Sequence, residues 1–146
     1  MIFWRRREDP ETRRILEIAE QAIRSALDRL GARNVKTRVK GGKAEALGEA
    51  SVGPGEALVV ALGELTRALQ GAGYNVRGAP DILKVSDEYM RSGSLAGIAI
   101  GNLMRRTADT AISRLEVEGP GGMYVIGVQS VKFFGRIGFT VSARKE

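Results

Sequence analysis

The chain contains no cysteine and no histidine. The first absence excludes disulfides and thiolate chemistry. The second removes the commonest general base and the commonest transition-metal ligand. Catalysis would have to rest on carboxylates, lysine or tyrosine, and no catalytic residue, metal site or cofactor is assigned. Two acidic pairs, Asp87 with Glu88 and Glu116 with Glu118, have no companion in the sequence that would shift a pKa or complete a metal site. Capping and solvated-surface roles are expected of them. Long apolar runs are missing too. The longest apolar-rich one, Leu95 to Met104, falls short of the ~20 residues that a membrane-spanning helix requires. The apolar start, Met1 to Trp4, stops at Arg5-Arg6-Arg7, so no signal peptide is read and a cytoplasmic protein is expected.

What is present is charge, mostly of one sign. The 146 residues carry 23 Lys/Arg against 17 Asp/Glu, a formal net charge of +6, and the sequence pI is about 10.1. Arginine outnumbers lysine seventeen to six. Residues 1–43 hold twelve basic against six acidic side chains, residues 44–90 three against seven, and residues 91–146 eight against four. Basic ends around an acidic middle give a one-sided field if the ends meet in space, and such a field favours nucleic acid or another polyanion. An arginine-rich surface with no partner is the alternative. At this length, with 43% hydrophobic residues, the chain can bury a core without staples.

Residues 1–8 read as a short arm and residues 9–146 as a single α+β domain. Asp9 suits a helix N-cap, Pro10 the first helical position and Glu11 the positive end of the dipole. Ile15, Leu16, Ala19, Ala22, Ile23, Ala26, Leu27 and Leu30 recur at helical spacing, and Gly31 ends the helix. Residues 34–40 then alternate, with Lys36, Arg38 and Lys40 forming a wholly basic outer face on a strand. Gly41-Gly42 predicts a two-residue turn and residues 43–52 a returning strand, although Glu45, Leu47 and Glu49 also fit a helix. In that pair Glu45 and Glu49 offset part of the basic face across the strands. A second helix is expected over residues 56–70. Its glycine-flanked start does not predict a phosphate loop, since Glu56 would repel an anion and no Lys or Ser/Thr stands in the needed place. Residues 74–77 and 82–86 are short strand candidates. Ser86-Asp87 or Ser94 is expected to cap a third helix running to about Leu115. After a turn at residues 119–122, residues 123–133 and 138–144 predict an antiparallel hairpin. This order predicts one mixed β-sheet with three helices packed against it.

Gly93, Gly97 and Gly101 stand four residues apart and would share one helix face. Each costs a helix about 1 kcal/mol relative to alanine, which close packing against another backbone would offset. That backbone belongs either to the protein's own sheet or to a second copy across a helix–helix seam. A homo-oligomer is expected.

The closing hairpin mixes base and ring in Lys132, Phe133, Phe134, Arg136, Phe139, Arg144 and Lys145. Aromatics on a basic strand can stack nucleobases, although core packing is expected for Phe133 and Phe139. Three stretches also carry a family likeness. Ile82-Leu83-Lys84-Val85-Ser86 followed by Ser94-Leu95-Ala96-Gly97-Ile98-Ala99 resembles the opening strand and first helix of the stage V sporulation protein S family, which has an Alba-like fold. Gly135-Arg136 leading into residues 139–145 is similar to the last strand of Alba chromatin proteins. LDRLGARNVKTRV, residues 27–39, resembles an Alba helix-to-strand passage. The lysine pair that Alba proteins place before their first helix is absent, and Val52-Gly53-Pro54-Gly55 stands there instead. After Arg106 too little chain remains for the family's second strand and helix, so the pieces would sit in a permuted or analogous arrangement. The resemblance implies an Alba-like domain that binds nucleic acid or dimerises.

These readings converge on a small basic homo-oligomer that binds DNA or RNA mainly through backbone phosphates. Lys36, Arg38, Lys40 and Lys43 are the expected contacts, with Lys132, Arg136 and Arg144 assisting. The alternatives are an assembly or scaffold protein, and a small-molecule-binding domain with a pocket beside residues 53–55 or the glycine stripe.

Overall fold

The computed structural model describes residues 9–77, 105–107 and 109–146. Helix α1 spans Pro10–Arg29. Asp9 Oδ2 accepts a hydrogen bond from the Thr12 N–H at 3.3 Å, supplying one of the amides that a helix start leaves unpaired. Its apolar face is buried as the spacing requires, from Ile15 to Leu27. Strands β1 (Arg33–Lys40) and β2 (Lys43–Glu49) follow as a hairpin. Gly41 and Gly42 turn it at φ 60° and 74°, a left-handed pair that glycine adopts without a Cβ clash. Helix α2 (Pro54–Gly71) is buried round most of its circumference, and β3 (Asn75–Arg77) comes after it. The remaining strands are β4 (Arg105–Thr107), β5 (Thr110–Gly119), β6 (Gly122–Phe133) and β7 (Arg136–Lys145).

The seven described strands form one sheet in the order β1-β2-β7-β6-β5-β3, with β4 also paired to β5. Asn75 stands opposite Glu118 and Arg105 opposite Ile112, so β3 and β4 lie end to end along the same edge of β5. All these pairings are antiparallel, which corrects the expected mixed sheet. Short hairpins link β1 to β2 and run through β4, β5, β6 and β7, and antiparallel strands need no crossover. The hairpin expected at residues 123–133 and 138–144 is β6–β7, with Val128 opposite Val141.

Both helices pack on one face of the sheet and against each other, α1 over β1, β2 and β7, and α2 over β5 and β6. Between the layers lie Leu16, Ile23, Leu58, Leu62, Leu65, Leu115, Ile126 and Phe139, each at most 2% exposed. The α+β class holds, but the described residues contain two helices, and the third is corrected in its second half. Residues 105–107 and 110–115, expected to be helical, are strand. Ala111 and Leu115 are four apart and fit either period. Thr110, Ile112 and Val117 are β-branched and favour a strand, and β5 pairs with β6 along its whole length. The arm at residues 1–8, the strand candidate at 82–86 and the stripe of Gly93, Gly97 and Gly101 lie outside the described residues.

Candidate nucleic-acid interface

No described helix covers the second face of the sheet, and strand alternation decides which side chains reach it. In β1 Lys36, Arg38 and Lys40 are exposed while Val35, Thr37 and Val39 turn toward the helices. Across the hairpin Lys36 stands opposite Leu47, Arg38 opposite Glu45 and Lys40 opposite Lys43. The rows continue into β7, where Leu47 faces Gly138, Lys43 faces Ser142 and Glu49 faces Arg136. Lys36, Arg38, Lys40, Lys43, Arg136 and Arg144 therefore share one face. Arg114 of β5 joins them, being opposite Gly127 and through it in line with Ser142; so does Arg77 of β3, opposite Glu116. Reading residues 110–115 as helix hid Arg114, which alternates with buried Leu115 once the segment is a strand.

Lys132 is not brought to this face. It follows Val128 and Ser130, both buried, at strand spacing and stands opposite buried Ile137, which places it on the helix-bearing side. Phe139 is in the core, as expected, at 1% exposure, but Phe133 is 39% exposed. It shares the parity of Val131, stands opposite Arg136 and lies on the helix-free face.

Among the described residues the acids on this face are Glu45, Glu49, Glu116 and Glu118. Arg38 Nε is 3.0 Å from Glu45 Oε1, the cross-strand offset that the sequence predicts. Glu49 accepts from Asn34 Nδ2 at 2.9 Å, and Arg77 lies 3.7 Å from Glu118. Among the described residues, Lys36, Lys40 and Lys43 have no carboxylate within ion-pair distance. The face also has relief. Lys36, Arg38, Leu47, Val131, Phe133 and Thr140 surround a concavity of about 450 Å³ floored by Gly138. A Cβ built on Gly138 would stand 3.6 Å from both Leu47 Cδ1 and Phe133 Cε1. Ile112, Arg114, Val125, Ser142 and Arg144 surround a second of about 590 Å³, floored by Gly127.

A separate polar cluster, which sequence reasoning missed apart from the Asp9 cap, lies where α1 meets the β5–β6 turn. The Tyr124 hydroxyl donates to Asp9 Oδ2 at 2.6 Å, and the Gly121 N–H donates to Glu11 Oε1 at 2.9 Å. The Arg14 guanidinium lies 5.6 Å from the centre of the Tyr74 ring. The Tyr124 hydrogen bond, foremost, holds the Asp9 carboxyl below its ordinary range. Burial, foremost, pushes both Tyr74 and Tyr124 upward. Tyr124 is fully buried and its proton is held by a carboxylate, so the cluster anchors the helix start and presents no reactive group.

At the expected alternative site, Pro54 and Gly55 are buried in the first turn of α2 and Gly53 makes no side-chain cap. Among the described residues no group of three or more His, Cys, Asp or Glu could hold a metal ion, and no helix is long and apolar enough to cross a membrane. No family model matches the chain, and no curated protein or solved structure matches it.

Proposed function

We propose that this is a cytoplasmic, homo-oligomeric nucleic-acid-binding protein that holds DNA or RNA by its backbone on the helix-free face of the sheet. The carrying observation is the placement of Lys36, Lys40 and Lys43 together on neighbouring strands, with no carboxylate of the described residues within ion-pair distance, and with Arg114, Arg136 and Arg144 on the same face. Residues two apart on a strand are ~6.5–7 Å apart, so several cations can follow one phosphate chain. Such contacts position a nucleic acid without reading its sequence. The Alba resemblance supports the same reading.

The scaffold alternative is weakened at the β1 edge. The register shifts between Arg33 and Lys36, and an irregular, charged edge resists pairing with another strand. The test is a titration of the wild-type chain with single-stranded DNA, RNA and duplex DNA at rising salt. Three to five phosphate contacts predict a log–log slope of about −2 to −4.5. Absence of binding at low salt, or binding indifferent to salt, would contradict the reading. Sedimentation of the free protein reads the oligomeric state alongside.

A further inference from the structure

We infer that the nucleic acid is single-stranded, and that its unpaired bases lie in the two glycine-floored bowls of the helix-free face. This rests on the nucleic-acid reading and names its substrate. Among the described residues the large exposed hydrophobics are Ile112 at 47%, Phe133 at 39% and Phe134 at 99%. Ile112 and Phe133 both lie on the helix-free face, and Phe134 stands at its rim in the β6–β7 turn. Phosphate binding alone needs none of them. Exposed apolar surface set among cations suits a ligand that is anionic along one side and flat and apolar along the other, which describes a strand whose bases are unstacked and unpaired. A duplex offers this face its phosphates and keeps its bases stacked inside.

The relief of the face agrees. Gly138 leaves the space between Leu47 and Phe133 unfilled at its base, so a planar ring can settle there against the edge of Phe133. Lys36 stands at the same bowl, as does Arg38 with its ion-pair partner Glu45. The Gly127 bowl repeats the plan, with Ile112 and Val125 as apolar walls and Arg114 and Arg144 as cations. Gly127 pairs with Ser142, four residues along β7 from Gly138, which separates the bowls by about 14 Å at strand rise and spacing. That is well beyond the ~3.4 Å rise between stacked bases, so each bowl takes its own base. Phe133 and Ile112 are only partly exposed, at 39% and 47%, and so are set into the sheet surface, which suits contact with a flat base; an apolar membrane anchor would protrude, as among the described residues only Phe134 does at 99%.

The experiment compares an oligodeoxythymidine, an oligomer of the same length and charge with abasic sites throughout, the matching duplex, and phosphatidylglycerol vesicles. The wild-type chain is expected to bind the base-bearing strand more tightly than the abasic strand and the duplex. Phe133→Ala, and Gly138→Val, which fills a bowl, are each expected to weaken the base-bearing strand roughly 5- to 150-fold. Both variants leave abasic binding and the salt slope nearly unchanged. Should either variant fail to fold, the wild-type preference for bases over abasic sites still decides. Equal affinity for all three polyanions, with a salt slope, would overturn the base platform while the phosphate reading stands. Binding to none of them, or to vesicles only, would overturn both.

Discussion

Neutralising the basic row of β1 tests the phosphate contacts quantitatively. Lys36, Arg38 and Lys40 occupy alternate positions on one exposed strand face, but they are not equivalent. Lys36 and Lys40 stand opposite Leu47 and Lys43, so neither has a carboxylate among the described residues to release before it meets a phosphate. Arg38 is held by Glu45 at 3.0 Å. The pair is exposed, and such pairs contribute only about 0–1 kcal/mol, so a phosphate can displace Glu45 at small cost. Each phosphate neutralised on a single strand adds about 0.7 to the salt slope. Replacing Lys36 and Lys40 by glutamine should therefore flatten the slope by about 1.4. The triple variant with Arg38→Gln should flatten it by about 2 and weaken binding further at all salts, because Glu45 is then left unpaired beside the ligand. The assay is fluorescence anisotropy of a labelled oligonucleotide across a salt series, with circular dichroism to confirm the fold. Unchanged slopes in both variants would show that the β1 face touches no phosphate.

Other predictions follow from placement and burial. Lys132→Gln should leave the salt slope unchanged, since Lys132 lies on the helix-bearing side; a loss equal to that of Lys36→Gln would refute the face assignment. A Cβ on Gly119 would stand 2.6 Å from Tyr74 Cε1 and 2.8 Å from Glu11 Oε1. Gly119→Ala should therefore cost about 1–3 kcal/mol by overpacking, read as a lowered urea midpoint. Tyr124 and Tyr74 hold their protons above the ordinary 10.0 when folded. Their contribution is therefore fully present below pH 10 and lost as pH rises beyond it; urea midpoints between pH 9 and 12 should fall, less steeply in Tyr124→Phe. Asp9 is shifted the other way from 3.8, so its contribution is present above that value and lost as pH falls through the lowered one.

Much of this architecture is legible in local pattern. Asp9-Pro10 starts α1 because cap and first-turn chemistry agree with the apolar period that follows. Gly41-Gly42 between two alternating runs favours a hairpin over the helix that Glu45, Leu47 and Glu49 also fit, and the β1–β2 pairing bears the hairpin out. The misreadings occur where two periods or two faces fit equally well. Ala111 and Leu115 satisfy a helix and a strand alike, and only pairing with β6 decides. In β6, Val125, Val131 and Phe133 are as apolar as Ile126 and Val128 on the other parity. No local signal says which set faces the helices, and the helix-bearing side goes to Tyr124, Ile126, Val128 and Ser130 through tertiary packing. That ambiguity misplaced Phe133 in the core and Lys132 on the binding face. It is also the trace of the site, because a strand apolar on both faces leaves one apolar face uncovered by any described element. Arg114 and Arg77 were out of reach for a related reason: their partners across the sheet are set by strand order, which no local spacing encodes.

The most direct test of the binding face uses the protein's own lysines as reporters. Lys36, Lys40 and Lys43 lie on the helix-free face, whereas Lys132 and Lys145 stand opposite buried Ile137 and Tyr124 and so project on the opposite side. Brief acetylation of the free protein and of its complex with an oligonucleotide, followed by mass spectrometry, compares the five in one experiment. Nucleic acid held on the helix-free face protects Lys36, Lys40 and Lys43 and leaves Lys132 and Lys145 modified as in the free protein. Protection of Lys132 and Lys145 with the β1–β2 lysines still reactive, or equal protection of all five, would contradict it.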